Sequence, residues 1–580
     1  MKILKGIPVA SGIAIAKPFV LESEGRSVPL RQTVSDADLE KEIRAFHEAI
    51  KSAEQNILRS RDKLEATLGK GHGAIFEAHL MILKDPLLVE STIEEARASK
   101  VKVGYAFARN VQKLSQTIAG LRDPYLQERF KDIEDVGWQV MGYLTGRERR
   151  SLKNIKEKVI VLAEDLSPAE TADIPKGRIL GFATITGSRT SHTAIVAQAL
   201  ELPALVGVKE LREIIVGDSI IILDAVEGVL ILDPDEATLA YYKRQQVIAE
   251  QRTIELRKMK LLAAETPDGH HVRLMVNLEL PLEVNAAVST GAEGIGLYRT
   301  EFMFLNRTDL QGEEEQYKWY SQVVKAMGQK EVVIRTVDLG GDKFLSEESE
   351  VTEMNPFLGL RGIRMSLAHQ GMFRTQLLAI LRTSALGKVH LMFPMISSVE
   401  EFRKARMCVD EVKAELRAAH IRFDEKLPVG AMIETPAAAL VADKLAREAD
   451  FFSIGSNDLI QYSIAVDRGN PGTNHLYEPL HPAILRLIQM TINMAHAAQI
   501  PVSVCGEIAA DPFAAVLLLG LGLDTFSVSP VSYNESKRII RSITFVEARE
   551  LALEAVTLAT AQAVKELVRG RVGDRVMRNS

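Results

Sequence analysis

A histidine lies among phosphate-binding residue types in the segment GSRTSHTAIVAQALELPALVG, residues 187–207. The residues before it are strand-like, and residues 194–200 have the small, apolar composition of a tightly packed helix. His192 is therefore predicted at a loop-to-helix junction, where unpaired backbone N–H groups and the helix dipole attract an anion. One cation and three hydroxyl groups surround it: Arg189, Thr190, Ser191 and Thr193. This pattern predicts a phosphate cradle around a nucleophile. The alternative is an ordinary helix start, capped by Ser191.

Three arginines follow or end strand-like segments in the second half of the chain: Arg299, Arg335 and Arg468. The planar guanidinium donates two parallel hydrogen bonds to a carboxylate or a phosphate. Each arginine could instead pair with an acid near it in sequence, and such pairs are common on surfaces. These acids are Glu301, Asp338 and Asp467. Three arginines in equivalent places favour binding of an anion rich in oxygen atoms.

Two acids, Glu434 in AMIETPAAA and Asp458 in GSNDLIQYS, end successive predicted strands. Carboxylate oxygens suit Mg²⁺, which typically takes one or two protein carboxylates and leaves its other positions to substrate and water. Asn457 can add a neutral hydrogen bond to a phosphate. The alternative for Asp458 is a helix cap, and Thr435 with the following proline also resembles a helix start.

The chain has two cysteines, which are too few for a disulfide framework or a thiolate metal site. Cys408 lies in a helical pattern and is predicted to be a small buried apolar residue. Cys505 follows an apolar segment that we expect to be the last strand, and its thiol proton suggests a proton donor to an enolate carbon.

The chain of 580 residues is 46% hydrophobic and carries a net charge of −6. This length predicts several domains, and the charge gives no reason to expect a nucleic acid or a membrane surface as partner. Turn-forming residues interrupt the apolar N-terminus, so we expect strands there rather than a signal peptide. No apolar run approaches the ~20 residues of a membrane span. We therefore expect a cytoplasmic protein without membrane insertion.

The elements that carry these residues differ along the chain. The N-terminal 21 residues are strand-like and are expected to pair with strands that flank the His192 loop. Residues 35–144 show helical periodicity, with a capping pair at Ser35 and Asp38. After a charged helical run, the last ~300 residues alternate strands and helices, with polar residues just after the strands. This alternation predicts a (β/α)8 barrel, with an open doubly wound sheet as the alternative.

The segment GSRTSHTAIVAQALELPA resembles the phosphohistidine signature of phosphoenolpyruvate-utilising enzymes, and its ending is most similar to enzyme I of the bacterial phosphotransferase system. The resemblance extends over nearly the whole chain through RTVDLGGDK, NPFLGLRGIR, GSNDLIQYSIAVDRGN and CGEIAADP. It implies phosphorylation of His192 on Nε2 and Cys505 as proton donor. It places phosphoenolpyruvate on Arg299, Arg335, Asn457, Asp458 and Arg468, and Mg²⁺ on Glu434 and Asp458. One departure is Ser188, where the family usually has glycine.

The resemblance and the patterns together predict a multidomain α/β protein with a C-terminal TIM barrel, a swivelling phosphohistidine domain and an all-helical insert. The predicted parts are a discontinuous phosphohistidine domain (1–24 and 145–232), a helical HPr-binding domain (25–144), a linker helix (233–262), the phosphoenolpyruvate-binding barrel (263–568) and a mobile basic tail (569–580).

The implied activity is phosphoryl transfer from phosphoenolpyruvate to His192 and then to a histidine of the carrier protein HPr, the first step of sugar uptake by this system. A homodimer through the barrel is implied by the resemblance alone. Two alternatives stay open at this point. One is an enzyme similar to pyruvate-phosphate dikinase or phosphoenolpyruvate synthase, although the chain offers no room for a nucleotide-binding domain before residue 150. The other is an inactive regulatory paralogue.

Overall fold

The structure is a computed structural model that describes every residue except 11, 22–30, 69–73, 120–123, 146–151, 153–154, 165, 167–176, 188–196, 198–201, 214–218, 280–282, 302–303, 305–311, 341–354, 469, 471 and 578–580. The chain divides into two compact units, Met1–Gln251 and Arg252–Ser580. The limits of the smaller domains predicted from the sequence stay predictions.

The first unit contains an eight-stranded mixed sheet. Its strands are β1 Lys2–Lys5, β2 Ile7–Ala10, β3 Ile13–Leu21, β4 Val159–Ala163, β5 Ile179–Thr184, β6 Ala204–Val206, β7 Ile221–Asp224 and β8 Val229–Leu232, in the order β1-β8-β7-β3-β4-β5-β6-β2. Strands β5 and β6 flank the His192 segment, and β2 pairs with β6. The N-terminal strands thus join the sheet as predicted. Apolar side chains cover this sheet, and β4 is buried along its whole length.

Five α-helices lie between β3 and β4 among the residues that the structure describes. They are α1 Asp36–Leu68, α2 Ala74–Leu83, α3 Pro86–Ser99, α4 Val103–Ala119 and α5 Pro124–Thr145. The Ser35 hydroxyl accepts a hydrogen bond from the Asp38 backbone N–H at 3.2 Å, which confirms the predicted cap. The apolar stripe of α1, which includes Leu39, Phe46 and Ala53, is buried in the core of this helical region. The all-helical prediction is therefore confirmed.

A charged helix, α6 Glu236–Lys258, follows the mixed sheet, and a short 3-10 turn, Met259–Leu261, ends it. Neither glycine nor proline interrupts this helix, in agreement with the predicted helical run. None of the helices within the described ranges is both long enough and apolar enough to cross a bilayer.

The second unit contains a closed barrel of eight parallel strands, as the sequence predicted. The strands are β9 Arg273–Leu278, β10 Gly294–Tyr298, β11 Glu331–Arg335, β12 Val389–Phe393, β13 Val429–Ile433, β14 Phe452–Ile454, β15 Val502–Val504 and β16 Thr525–Val528. Strand β16 pairs with β9 and closes the ring, which rules out the open-sheet alternative.

The barrel helices alternate with its strands. They are α7 Val284–Thr290, α8 Glu313–Met327, α9 Ile363–Ala368, α10 Gln370–Ser384, α11 Val399–Ala418, α12 Pro436–Leu440, α13 Ala442–Leu445, α14 Ser456–Ile464, α15 Pro482–Ala497, α16 Pro512–Gly520, α17 Tyr533–Ile540, α18 Phe545–Ala555 and α19 Ala561–Val576. One large apolar core joins strands and helices, and a small cluster that contains Leu297, Val333, Met392 and Met432 includes Cys505.

Two sequence-based expectations for this unit were wrong. Cys505 follows β15, which is not the last strand, because β16 comes after it. The tail predicted to be mobile, residues 569–580, is helical as far as Val576, which is buried. Arg538 caps this helix by donating to the carbonyl oxygens of Arg575 and Val576, so side-chain anchors hold the terminus.

Candidate active site at the carboxyl ends of the barrel strands

Parallel strands in a closed barrel place all their carboxyl ends at one rim, where the loops that follow can meet. Six of the residues singled out from the sequence lie at strand ends or in the first turn beyond them: Arg299, Arg335, Glu434, Asn457, Asp458 and Cys505. The residue types that could bind an anion or a cation are thus gathered on one side of the barrel.

Three carboxylates form a cluster at this rim. Asp338, Glu434 and Asp458 each offer an oxygen atom within 4.8 Å of those of the other two. Glu434 is 1% exposed, and its Oε1 accepts a hydrogen bond from the backbone N–H of Met395 at 2.6 Å. Burial and then the charges of Asp458 and Asp338 raise the pKa of Glu434 to about 8. Carboxylates that repel one another in a buried place are suited to holding a metal ion.

Backbone geometry brings these acids close together. A Cβ atom on Gly455 would lie 2.5 Å from Oε2 of Glu434, so only glycine lets the start of α14 approach this carboxylate. Gly362 has a φ of +60°, and a Cβ atom there would lie 3.1 Å from Oδ1 of Asp338. Met395, which donates to Glu434, has a φ of 57° although it is not glycine.

Arg335, the last residue of β11, is buried next to two acids. Its Nη2 donates to Glu301 at 2.8 Å, and its Nη1 lies 3.2 Å from Asp338 Oδ2. Burial alone would lower the pKa of this guanidinium, but Glu301, Asp338 and Glu434 outweigh burial and raise the pKa. Its Nε is buried without a hydrogen-bond partner among the described residues, so one donor remains for an anionic ligand.

A fourth arginine, Arg361, joins two of the three acids. It donates to Asp338 from Nε at 3.2 Å and from Nη2 at 3.0 Å. Weaker contacts of 3.4 Å reach Asp458, and Nη1 donates to the hydroxyl of Tyr462 at 3.1 Å. The site is therefore a network of alternating charges.

The two other arginines lie closer to solvent. Arg299 is half-buried and pairs with Glu279. Arg468 is exposed on the loop after α14, and its backbone N–H donates to Gln461 at 3.3 Å. Burial raises the pKa of Tyr477 to about 12, against the charge of nearby Arg468, which lowers it.

Both polar atoms of the Asn457 side chain form hydrogen bonds with Glu507. Its Oδ1 accepts from the backbone N–H of Glu507 at 3.1 Å, and its Nδ2 donates to Glu507 Oε1 at 3.4 Å. Asp458, the next residue, does not cap α14, because Gly455 occupies the cap position and Asp458 lies within the first turn. The helix-cap alternative for Asp458 is therefore not what the structure adopts. Thr435, in contrast, does cap the helix after Glu434.

Cys505 directly follows β15 and is 2% exposed. The hydroxyl of Ser453 donates to its Sγ at 3.3 Å, and Asn277 Nδ2 donates to its backbone carbonyl oxygen at 2.9 Å. Burial raises the pKa of this thiol, so the thiol keeps its proton at neutral pH. Cys408, on α11, packs against the main core as predicted, but it is half-buried rather than buried.

Three family models match the chain. The PEP-utilising enzyme N-terminal model matches residues 5–129, the mobile-domain model matches residues 155–228, and the PEP-binding-domain model matches residues 253–545. The last match contains the acid cluster, Arg335 and Cys505.

Curated relatives match over nearly the full length. Phosphoenolpyruvate-protein phosphotransferase of Haemophilus influenzae is 42% identical over 97% of this chain and 98% of its own. The proteins of the same name from Listeria monocytogenes and Staphylococcus aureus are 41% and 39% identical, each over 98% of this chain and at least 99% of their own. The chain belongs to the phosphoenolpyruvate-protein phosphotransferase family. This result confirms the resemblance found in the sequence.

Two members of the site were not assigned to it from the sequence of this phosphotransferase-family chain. Asp338 was considered only as an ion-pair partner of Arg335, and Arg361 was quoted within NPFLGLRGIR without a role. The motif could have indicated a role for Arg361, because it places this arginine next to glycines in a connection that follows a barrel strand. Glycines let the backbone come close to charged groups at the rim of the barrel.

The histidine of the phosphotransferase-family signature, His192, lies outside the described residues, and so do Ser188 and the four polar neighbours of the histidine. Two described threonines precede this segment, and the hydroxyl of Thr186 donates to the backbone carbonyl oxygen of Glu164 at 3.0 Å. Ala197 is fully buried, and β6 begins at Ala204. The predicted role of His192 stays a prediction.

Proposed function

We propose that this protein transfers the phosphoryl group of phosphoenolpyruvate to His192 and from there to a histidine of the carrier protein HPr. The observation that carries this proposal is the cluster of buried Arg335 and three acids in a chain that matches phosphoenolpyruvate-protein phosphotransferases over nearly its full length. Such a cluster offers cationic donors for a phosphate and a carboxylate, together with oxygen atoms for a metal ion.

In the first step, Arg299, Arg335, Arg468 and Asn457 hold the anionic groups of phosphoenolpyruvate. Guanidinium groups suit this task because they donate bidentately and stay charged at any physiological pH. Neutral His192 then attacks phosphorus through Nε2, so that an N–P bond forms and the P–O bond to the enolate breaks.

Glu434 and Asp458 would hold Mg²⁺, and the cation fits because the buried carboxyl group of Glu434, whose pKa is raised to about 8, needs a positive charge beside it to ionise. When bound, Mg²⁺ supplies positive charge against phosphate and enolate oxygen atoms. The thiol of Cys505 donates its proton to the enolate carbon, which yields pyruvate, and the thiolate recovers a proton from solvent. The raised pKa of Cys505 supports this role, because it keeps the proton available.

In the second step, phosphorylated His192 passes its group to a histidine of HPr. We propose that HPr docks on the helical domain, residues 25–144, while the barrel, residues 263–568, binds phosphoenolpyruvate. One imidazole then serves two sites on different domains. This requires a rigid-body movement of the phosphohistidine domain, residues 1–24 and 145–232, relative to the barrel.

A cytoplasmic location and a homodimer through the barrel complete the proposal. The location is supported by the lack of a disulfide framework in the sequence and by the reaction proposed, which uses a metabolite and a small carrier protein. The dimer is supported by the resemblance to enzyme I and can be measured directly as a concentration-dependent mass in solution.

The deciding experiment is incubation of the protein with ³²P-labelled phosphoenolpyruvate and Mg²⁺, followed by mass spectrometry of the labelled peptide. We expect an acid-labile phosphate on His192, none in His192→Ala, and normal labelling in His47→Ala, which alters an exposed histidine on α1. Labelled ATP should give no label. Equal labelling of His192→Ala would refute the proposal, and labelling by ATP would favour a dikinase.

A further inference from the structure

A buried glutamine connects the ends of strands β10 and β11. Gln376, on α10, is fully buried. Its Oε1 accepts a hydrogen bond from the backbone N–H of Val337 at 3.0 Å. Its Nε2 donates to Thr300 Oγ1 at 3.1 Å and to the hydroxyl of Tyr320 at 3.2 Å. Because Oε1 faces an obligate donor, the orientation of this amide is fixed, and both of its N–H bonds are used.

Two of the three partners of Gln376, Thr300 and Val337, belong to the chain segments that carry the candidate substrate-binding residues. We call these two the inner partners and Tyr320 the outer partner. Thr300 directly follows Arg299, and its hydroxyl donates to the backbone carbonyl oxygen of Arg335 at 2.9 Å. Val337 directly precedes Asp338. A single side chain therefore fixes the backbone beside three charged groups of the site.

Glu301 holds the same two segments together on their other side. Its Oε1 accepts from Arg335 Nη2 at 2.8 Å and from the backbone N–H of Asp338 at 3.0 Å. The strand ladder between β10 and β11 ends before these residues. Beyond the ladder, side-chain hydrogen bonds rather than sheet pairing set the spacing of the two segments.

The third hydrogen bond of Gln376, to the outer partner Tyr320, connects it to α8 and not to the substrate-binding segments. The hydroxyl of Tyr320 donates to Gln316 Oε1 at 3.1 Å, and both residues lie on α8. An apolar side chain could fill the volume of the glutamine between α8 and α10. A fully satisfied polar side chain there defines one backbone arrangement rather than several.

We propose that Gln376 is a positioning residue that sets Arg335, Asp338 and, through Thr300, Arg299 for binding of phosphoenolpyruvate. This inference rests on the proposed function. It predicts that loss of the amide impairs the half-reaction in the barrel and leaves the other half-reaction intact.

The test is Gln376→Met, which keeps the side-chain volume and removes all three hydrogen bonds. We expect kcat/KM for labelling of His192 by ³²P-phosphoenolpyruvate to fall by about ten- to a hundred-fold, mainly through a higher KM, because small misplacements of binding groups have effects of this size. Transfer from phosphorylated HPr to His192 should keep its wild-type rate, since this reaction does not use the barrel site.

Two further variants separate positioning from a loss of stability. Thr300→Val removes the hydrogen bond from Gln376 and the one to the carbonyl oxygen of Arg335 but leaves the bond between Gln376 and Val337. It should raise KM as Gln376→Met does, and the double variant should raise KM by less than the product of the two single effects. Tyr320→Phe cuts only the outer link and should keep KM near wild type. If Gln376→Met does not fold, Thr300→Val decides alone.

The inference is overturned if Gln376→Met and Thr300→Val leave KM unchanged, or if both half-reactions decline together. Failure of the proposed function has a different signature, because wild-type protein would then take no label from phosphoenolpyruvate at all.

Discussion

Each unit of the molecule buries an acid at the end of a strand, and the two acids differ in the hydrogen bonds and charges around them. In the mixed sheet, Asp224 ends β7 and accepts hydrogen bonds from the backbone N–H groups of Val226 and Glu227 at 2.8 and 3.0 Å. In the barrel, Glu434 follows β13 and accepts one backbone hydrogen bond, while Asp338 and Asp458 lie beside it. The first acid stabilises its own turn. The second is held in a charge arrangement that disfavours its ionised form, which is expected of a ligand-binding group.

The largest effect that this comparison predicts concerns Glu434. Glu434→Gln keeps an acceptor for Met395 and removes one negative charge from the cluster. We expect labelling of His192 by phosphoenolpyruvate to slow by about a thousand-fold, the size typical of losing a preorganised electrostatic group. The midpoint of thermal unfolding should not fall, because the neutral amide replaces a buried carboxyl group whose pKa, raised to about 8, favours its neutral form at pH 7. A clearly less stable variant with normal labelling would show that Glu434 stabilises the fold and takes no part in the reaction.

Cys505→Ala should have the next largest effect. Without the thiol, protonation of the enolate depends on water, and we expect pyruvate formation to slow by about a hundred-fold. The measurement is pyruvate release in steady state, and Cys408→Ala is the matched control with normal turnover. Unchanged pyruvate release by Cys505→Ala would exclude the thiol as proton donor.

Asp224→Ala tests the other side of the comparison. Two backbone N–H groups lose their acceptor, so we expect the free energy of unfolding to fall by about 1–3 kcal/mol. KM for phosphoenolpyruvate should stay at the wild-type value. Urea unfolding and steady-state kinetics measure the two quantities, and a raised KM would mean that Asp224 contributes to substrate binding.

The smallest effect is the response of stability to Mg²⁺. If the acid cluster binds this ion, about ten-fold excess over Kd should raise the unfolding midpoint by about 2–4 °C in wild type. Glu434→Gln should show little shift. Since the pKa of Glu434 is raised to about 8 and the bound form needs its carboxylate ionised, the shift should grow as the pH increases from 6 to 9. A shift of equal size in the variant would place the ion elsewhere.

The sequence predicted the barrel because apolar strand segments are followed by polar residues. This pattern can be recognised without knowing which residues are in contact. Strand β16 was missed because Thr525–Val528 is short and follows the very apolar helix α16, so periodicity gave it no separate signal. The helical end of the chain was missed for another reason. Its last turn is held by Arg538, which lies 37 positions before Arg575, and by Glu547, which pairs with Arg575, and neither contact shows in the local sequence.

The candidate site was only partly predictable. Glu434, Asp458 and Cys505 stood out because acids and a thiol directly follow apolar strands. The pairing of Arg361 with Asp338 joins residues that lie 23 positions apart in the connection between β11 and α9, and no local pattern shows such a contact. Exposure was also hidden, since Arg335 is buried and Arg468 is exposed although both were assigned the same role.

The missing side chain at Gly455 has one more consequence. A methyl group there would collide with the Glu434 carboxylate. The absence of a side chain at this position therefore sets how closely the start of α14 can approach the end of β13. A Gly455→Ala change would move the two apart. The spacing within the acid cluster therefore depends on the absence of a Cβ atom at this position as much as on the carboxylates themselves.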